Sequence, residues 1–392
     1  MHRNKLHQAL SSNAAVLSAA LALSACGGGD GSGDSDGGTG VENTPKVVVP
    51  AKLAIVADWL NRSLSYVDVD ALATGATRDA VVTSTISLPD DAPGPLEVAL
   101  TPDKKTALVT VSAGFFSIPL AGTLIGANNL PTDPGKLLFL DVDSGKVTGE
   151  IALMSPTGIA ITPDGARAFV TNFSSSNMVI VDLASKAVTS TVTLDVYPEE
   201  IVFDETGTVG ILGDSAQGSA HTFSVADPAN TLTPVVLDGD SAGLAFFPGT
   251  KVAFMVQAPN PLSLVGGFSV IDVSDPKAPK LLQDERLDPA PIGYPATAAK
   301  NRQSVLVPTT VEGRLVLREY KLQDGKAILG TTIDIEDATL LSALGIAYDG
   351  DHTALIAWPR QRALVAVDLN AGTSKVIPWL IDQPGPAGAV FR

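Results

Sequence analysis

Short runs of apolar and β-branched residues, separated by turn residues, alternate along the stretch of chain from Pro156 to Leu194. The tripeptide Pro163-Asp164-Gly165 separates the first two runs, and it favours a tight turn because proline fixes φ while glycine adopts a positive φ. Four antiparallel strands within roughly 40–45 residues are typical of one blade of a β-propeller. The pattern therefore predicts the four strands of one blade, at residues 158–162, 166–172, 178–183 and 187–194.

The same unit recurs along most of the chain, and the two ends of the domain complement each other. Three predicted strands near its start, at 53–59, 64–68 and 81–88, lack a first strand, whereas 387–391 is a first strand with nothing after it. Joining the two ends completes one more blade and leaves no open sheet edge. We therefore predict an all-β fold in which residues 51–392 form a seven-bladed β-propeller with terminal strand closure, with six or eight blades as the alternatives. The predicted first strands begin at Glu97, Gly158, Glu200, Gly243, Thr297, Gly345 and Gly388.

One of these units resembles a known bacterial repeat. In the unit that starts at Pro156, Phe169-Val170-Thr171-Asn172 stands where the name-giving residues of the YVTN β-propeller repeat fall, and residues 270–281 are similar to a related bacterial propeller repeat. Some lactonases share this propeller ancestry, so the resemblance implies lactone hydrolysis as an enzymatic alternative. No catalytic residue can be transferred by motif. Because propellers carry many activities, the resemblance indicates the fold much more strongly than the function.

The first fifty residues differ from the rest in composition. A short apolar stretch, 14–23, follows two cationic residues and is too short to span a membrane, which is typical of a signal peptide. Leu23-Ser24-Ala25-Cys26 then resembles the lipobox of bacterial lipoproteins, in which the cysteine is lipidated and becomes the first residue. The residues after it are rich in Gly, Ser and Asp and predict a disordered tether.

These features predict a signal peptide at 1–25, a lipidated Cys26 with its tether at 26–50, and a place in the bacterial cell envelope. For a Gram-negative source, the lipoprotein resemblance implies the outer membrane, because Gly27 rather than aspartate follows the cysteine. The partner at this end of the chain would be the membrane, through the lipid anchor. An ordinary signal peptide cleaved near Ala25, which would leave a free cysteine, is the alternative.

Composition excludes several classes of function. The formal net charge of −16 disfavours a nucleic-acid partner because phosphate backbones would be repelled. A single cysteine excludes an intrachain disulfide, and only His221 and His352 would remain after removal of the signal peptide, which excludes His-rich zinc sites. No cofactor is predicted. A cation site made of carboxylates alone, with Glu97, Glu199 and Glu200 at the blade entries, stays open beside the alternative that these acids are merely solvated.

A G-x-S-x-G motif at residues 239–243 matches the pattern with which many hydrolases present a nucleophilic serine. The motif works at a turn between a strand and a helix, and here a predicted first strand follows Ser241 instead. Ser241 is therefore predicted to lie in an inter-blade turn. His221 opens a predicted third strand and is either packed between blades or catalytic, while His352 lies in a short turn on the other side of the ring. No catalytic constellation is recognisable.

Aromatic and basic residues gather in the connections between second and third strands of neighbouring blades. In a propeller these connections lie on the face around the central funnel, together with the longest insertion, residues 112–135. Tryptophan and arginine are enriched at binding hot spots, and arginine is attracted to aromatic faces. The alternative is that the tryptophans pack the core and the arginines only increase solubility. The candidate ligand-binding residues are Trp59, Asn61 and Arg62 in blade one, Phe115 and Phe116 in blade two, and Trp358, Arg360 and Arg362 in blade seven.

The sequence thus predicts a cell-envelope lipoprotein that acts as a binding or scaffolding module through its funnel-face loops. An envelope protein or a polysaccharide is the expected partner. The alternatives are a lactonase-like hydrolase and a subunit of an envelope assembly that has no ligand of its own.

Overall fold

The computed structural model describes residues 46–59, 61–112, 134–214, 218–237, 239–258, 266–287, 295–311, 314–337, 343–358, 362–379 and 386–392. Within these residues, 28 β-strands form seven antiparallel four-stranded sheets, which confirms the predicted seven-bladed β-propeller. The first strands contact one another in a closed circle, β28 to β4, β8, β12, β16, β20, β24 and back to β28. They therefore form the wall of a central channel, and the fourth strands form the rim.

In every blade the first strand lies at the channel and the fourth at the rim. Blade one consists of β28 (Pro386–Phe391), β1 (Leu53–Asp58), β2 (Ser63–Asp68) and β3 (Val82–Ser87). Blade two consists of β4 (Pro95–Leu100), β5 (Thr106–Ser112), β6 (Pro134–Asp141) and β7 (Lys146–Met154). Blade three consists of β8 (Pro156–Ile161), β9 (Arg167–Asn172), β10 (Asn177–Asp182) and β11 (Ala187–Thr193). Blade four consists of β12 (Pro198–Phe203), β13 (Val209–Asp214), β14 (Ser219–Ser224) and β15 (Thr233–Val236).

The remaining blades follow the same order. Blade five consists of β16 (Asp240–Phe246), β17 (Val252–Ala258), β18 (Gly266–Asp272) and β19 (Lys280–Leu287). Blade six consists of β20 (Thr297–Ala299), β21 (Ser304–Val311), β22 (Arg314–Gln323) and β23 (Lys326–Asp337). Blade seven consists of β24 (Gly345–Tyr348), β25 (Thr353–Trp358), β26 (Ala363–Asp368) and β27 (Thr373–Pro378). Two short helices, α1 (Arg78–Val81) and α2 (Pro228–Thr231), and two 3-10 turns, Asp70–Ala73 and Lys300–Arg302, lie in connections.

The predicted turn chemistry is present in the structure. In blade three, Gly165 has a φ of +68°, and Asp164 Oδ1 accepts hydrogen bonds from Thr162 Oγ1 at 2.6 Å and from Ala166 N at 2.9 Å. The carboxylate thus satisfies backbone and side-chain donors that the tight turn would otherwise leave unpaired. The strands on either side, β8 and β9, are almost entirely buried between neighbouring blades, whereas the rim strand β7 alternates between exposed and half-buried residues.

Ring closure by the last strand is confirmed. β28 pairs antiparallel with β1, with Phe391 opposite Ala54, and Arg392 N donates to Leu53 O at 2.8 Å. The hydrophobic core is divided into seven clusters, and each lies between two adjacent blades. The cluster between blades seven and one includes Leu355, Leu364, Val56 and Val67. Since every blade has an apolar interface on both sides, no blade can be removed without exposing two of these interfaces.

The two faces of the ring carry different connections. Connections between first and second strands and between third and fourth strands lie on one side, which we call the turn face. Connections between second and third strands and between blades lie on the other side, the funnel face. Residues 46–50 pack at the turn face: Val48 N donates to Ser84 Oγ at 2.7 Å, and Val47 lies close to Gly145 in the turn between β6 and β7. No helix in the described part of the chain is long and apolar enough to cross a membrane.

Candidate functional site

A cavity of about 140 Å³ occupies the channel, and three acidic residues stand in its wall. The strands β4 and β12 contribute Glu97 and Glu199-Glu200, while β8, β24 and β28 contribute Gly158, Gly345 and Gly388 at the matching position of the unit. The glycines are required there because the first strands approach closely: a Cβ on Gly388 would lie 2.5 Å from Leu96 O. The structure therefore brings the three predicted acids together in the wall of one cavity.

Glu97 and Glu200 make equivalent contacts, each with the next blade. Glu97 Oε2 accepts a hydrogen bond from Ile159 N at 3.0 Å, and Glu200 Oε2 accepts one from Leu244 N at 2.7 Å. Burial raises the pKa of Glu97 to about 8, and the bond from Ile159 N only partly opposes this. Burial also raises the pKa of Glu200, and the nearby charge of Glu97 raises it further. The lumen thus holds carboxyl groups that retain protons near neutral pH.

The second question about these acids is whether they form a metal-binding cluster. Among the residues that it describes, no group of three or more His, Cys, Asp or Glu side chains is arranged to hold a metal ion. The carboxylates at the channel wall are engaged with backbone N–H groups, which are donors that compete with a cation for the same oxygens. Glu97 and Glu200 thus each use a carboxyl oxygen for an inter-blade hydrogen bond.

On the funnel face, the residue just before the third strand recurs in a left-handed conformation. A positive φ is uncommon for residues other than glycine, so its recurrence at this position indicates that the connection has the same backbone conformation in several blades. In each case its carbonyl accepts a hydrogen bond, 2.7–2.9 Å long, from the residue just after the fourth strand. Two of the four positions are exposed arginines in neighbouring blades, so Arg62 and Arg362 are structurally equivalent. The four residues and their φ values are Arg62 (48°), Ser176 (48°), Gly218 (63°) and Arg362 (54°).

Trp59 joins blade one to the long connection of blade two. Its Nε1 donates to the carbonyl oxygen of Ser112 at 3.0 Å, and its ring packs over Gly94, where a Cβ would clash with the indole. The side chain remains half-buried, and Ser112 is the last residue of β5, directly before the long connection. Phe115 and Phe116 fall within 113–133, which lies outside the described residues. Trp59 therefore holds one fixed aromatic surface at the start of that connection.

The other predicted residues take different positions. Asn61 and Arg62 are exposed in the connection between β1 and β2, and Arg62 Nη1 donates to Asp90 O at 2.9 Å. Trp358 is only 3% exposed and packs in the core between blades six and seven. Strand register explains the difference, since Trp358 lies opposite Ala363 just as Asp58, not Trp59, lies opposite Ser63. Arg360 lies outside the described residues.

The third tryptophan, which is not among the predicted site residues, makes the most buried polar contact of this sector. Trp379 Nε1 donates to Asp58 Oδ1, and Asp58 Oδ2 accepts from Ser65 Oγ, each over 2.5 Å. Arg78 places its guanidinium 3.6 Å from Asp58 and 5.5 Å from the centre of the Trp379 ring. Burial raises the pKa of Asp58, although these partners oppose the rise. The only sequence signal was an aspartate that ends an otherwise apolar run, LAIVAD.

Ser241 of blade five and His221 of blade four lie on opposite sides of the blade-four sheet. His221 is paired across the sheet with Leu212, which belongs to the core between blades three and four. Gly213, the next residue along β13, faces the other way: a Cβ there would meet Ser241 Oγ of blade five. Both side chains are buried. Ser241 lies within strand β16, where it pairs with Gln257, and not in the predicted inter-blade turn; no helix follows it, as predicted. The two residues therefore cannot act as a nucleophile and its base.

Comparison with known proteins supports the fold but assigns the chain to no family. No known protein-family profile and no curated protein sequence matches the chain. A functionally unknown protein from Desulfotomaculum acetoxidans is similar in structure, with a TM-score of 0.63, 16% identity and coverage of 87% of this chain and 99% of that one. The periplasmic gluconolactonase PpgL of Pseudomonas aeruginosa gives a TM-score of 0.61 and 14% identity, covering 87% and 98%.

A third similar structure is hydrazine synthase of Kuenenia stuttgartiensis, with a TM-score of 0.54, 16% identity and coverage of 72% and 79%. These neighbours are consistent with the resemblance to lactonase-like bacterial β-propellers. At such low identity they show the shared fold alone. The YVTN repeat assignment and the lipoprotein signal remain predictions from the sequence.

Proposed function

We propose that the protein is a binding or scaffolding module of the bacterial cell envelope that engages its partner through the funnel face of blades seven, one and two. The observation that supports this most directly is the half-buried Trp59, fixed by its bond to Ser112 O beside the exposed Arg62. Arg362 presents a second guanidinium at the equivalent position of the next blade. The partner is an anionic surface, either a carboxylate-bearing polysaccharide or an acidic loop of an envelope protein.

The physical basis is preorganisation. An aromatic ring that is already held by a hydrogen bond loses little conformational entropy when a ligand stacks on it. Arginine adds directed, charge-assisted hydrogen bonds to carboxylates. Two arginines also offset locally the strongly acidic character of the chain, whose net charge of −16 would otherwise repel an anionic ligand. The sector therefore combines shape, rigidity and local positive charge.

The described segment before the first strand lies away from this surface. Residues 46–50 run along the turn face, at the opposite end of the blades from the connection that contains Trp59 and Arg62. This segment therefore does not cover the proposed binding surface.

The binding test uses an array of neutral and carboxylate-bearing polysaccharides, followed by titration of the best binder. We expect Trp59→Ala and Arg62→Ala each to weaken binding at least about tenfold, the loss typical of a hot-spot residue. Arg362→Ala tests the neighbouring blade. Arg286→Ala, which removes an exposed arginine from the rim strand β19, is the charge-matched control and should bind as the parent does. If all four variants bound the ligand with the affinity of the parent protein, the proposed surface would be refuted.

The anchor is tested separately. Cys26→Ala should abolish labelling by a fatty-acid analogue and move the protein from the membrane fraction to the soluble fraction, because stable anchoring depends on the acyl chains. Cys26 is the chain's single cysteine, so labelling of the parent is unambiguous. An unlabelled parent protein would refute lipidation at Cys26.

A further inference from the structure

Two channel carboxyls form hydrogen bonds between neighbouring blades at the wall of the cavity. Glu97 reaches from β4 of blade two to Ile159 N of blade three, and Glu200 reaches from β12 of blade four to Leu244 N of blade five. Between them, Gly158 is pressed against β12, since a Cβ there would lie 2.4 Å from Glu199 O. Glu97 therefore links blades two and three, Glu200 links blades four and five, and close backbone packing at Gly158 joins blades three and four between them.

Among the described residues that line the cavity, no basic group faces this pair. The wall is built from β4, β8, β12, β24 and β28 and from the residues just before β20 and β24, and these lining residues are apolar, glycine or threonine apart from Glu97, Glu199 and Glu200. β16 faces Glu200 with the backbone N–H of Leu244. Among these described wall residues, the only charge near Glu97 and Glu200 beyond their own is thus the like charge of Glu199. Ionising both carboxyls would place like charges in one channel, without a cation among the described wall residues to offset them.

We propose that the Glu97–Glu200 pair is a proton-dependent clamp: the protonated carboxyls hold blades two to five together, and their ionisation loosens the first strands around the channel. A protonated carboxyl still accepts the backbone N–H through its carbonyl oxygen, and its own O–H can donate to water in the lumen. The clamp therefore keeps its inter-blade bonds when protonated and adds repulsion when ionised. This inference is independent of the funnel-face proposal.

The direction of the pH effect follows from the raised pKa values. The pKa of Glu97 is raised from 4.5 to about 8 in the folded protein, and that of Glu200 is raised as well. The folded state therefore retains protons that the unfolded chain releases in the ordinary carboxyl range. The stabilising contribution is complete below about pH 4.5 and is lost as the pH rises through about 8. The ring should thus weaken on the alkaline side of neutrality.

The test compares the parent protein with Glu97→Gln/Glu200→Gln. Glutamine keeps an oxygen that can accept from Ile159 N and Leu244 N, so the variant should fold, and it cannot ionise. Between about pH 6 and about pH 9, we expect the melting temperature of the parent to fall about 3 °C or more further than that of the variant. Potentiometric titration should show that the parent releases protons between about pH 7 and about pH 9 that the variant lacks.

Matched controls separate the clamp from the loss of net charge. Glu150→Gln/Glu285→Gln removes two carboxyls from the rim strands β7 and β19 and should keep the parent's pH profile. The single variants Glu97→Gln and Glu200→Gln each retain one carboxyl and should fall between the parent and the double variant. Parallel melting curves of the parent and the channel double variant across this range, or identical titrations, would overturn the proposal.

Discussion

Trp379 of blade seven donates its indole N–H to Oδ1 of Asp58 in blade one, over 2.5 Å, across the interface where the propeller ring closes. Asp58 has no exposed surface, and Trp379 is 4% exposed. Ser65 and Arg78 engage the other carboxyl oxygen. The acid is thus a buried junction between two blades whose residues are 321 positions apart in sequence.

This contact predicts a stability loss larger than that of an ordinary buried hydrogen bond. Trp379→Phe keeps an aromatic ring but leaves a buried carboxyl oxygen without its donor, which should lower the free energy of unfolding by about 1–3 kcal/mol beyond the loss of packing. Tyr66→Phe is the control, because it removes a buried donor to a neutral acceptor, Val142 O at 2.9 Å. Urea denaturation of both variants and the parent measures the two losses in the free energy of unfolding. A Trp379→Phe loss no larger than that of Tyr66→Phe would show that the junction is mainly packing.

The close packing of the channel-wall glycines predicts that an alanine there lowers stability more than an alanine at the rim. Gly388→Ala would bring a Cβ to 2.5 Å from Leu96 O, a backbone atom that cannot move aside alone, so the first strands of blades one and two must separate. Overpacking of this kind usually costs about 1–3 kcal/mol. Gly330→Ala on the rim strand β23 is the control, since its nearest contact would be an ordinary 3.4 Å. Thermal melts in which Gly388→Ala is as stable as Gly330→Ala would contradict the close approach.

The periodic pattern was sufficient to predict the blades because each blade is a local unit. All seven predicted starts, from Glu97 to Gly388, lie in observed first strands, since turns such as Pro163-Asp164-Gly165 and β-branched runs act over a few residues. Closure was predictable for a different reason. Each chain end supplied part of a blade, and only their union leaves no open edge.

The candidate site was less predictable because side-chain direction changes with every residue of a strand. Trp358 ends β25 and points into the core, while Trp59 comes one residue after the end of β1 and lies at the surface of the connection. Loop lengths alone could not establish that Trp358 matches Asp58 rather than Trp59. Trp379 was missed because its partner is distant in sequence. The hydrogen bonds of Glu97 and Glu200 likewise depend on blade spacing, which no local pattern records.

Deletion of residues 386–392 tests the closure itself. Without β28, β1 exposes an unpaired edge and the clusters on both sides of blade one lose part of their packing. We expect loss of the cooperative melt and aggregation during size-exclusion chromatography. Arg392→Ala is the control. It keeps the backbone bond from residue 392 N to Leu53 O and removes a partly exposed ion pair with Asp143, and such pairs contribute little. A truncated protein that melts like the parent would refute terminal strand closure.

The last prediction concerns hydrolase activity. Ser241 and His221 face different neighbouring blades, so His221 cannot act as the base for the serine of the G-x-S-x-G motif. Burial lowers the pKa of His221, against the opposing charges of Asp214 and Asp195, which is consistent with a neutral, packed imidazole. Ser241→Ala and His221→Gln should therefore leave any hydrolysis of lactones and esters by the purified protein unchanged. The check is a pH-stat screen over a lactone and ester panel, with melting curves to confirm that both variants fold. Turnover in the parent that drops tenfold or more in either folded variant would move these residues into a catalytic site and favour the lactonase alternative.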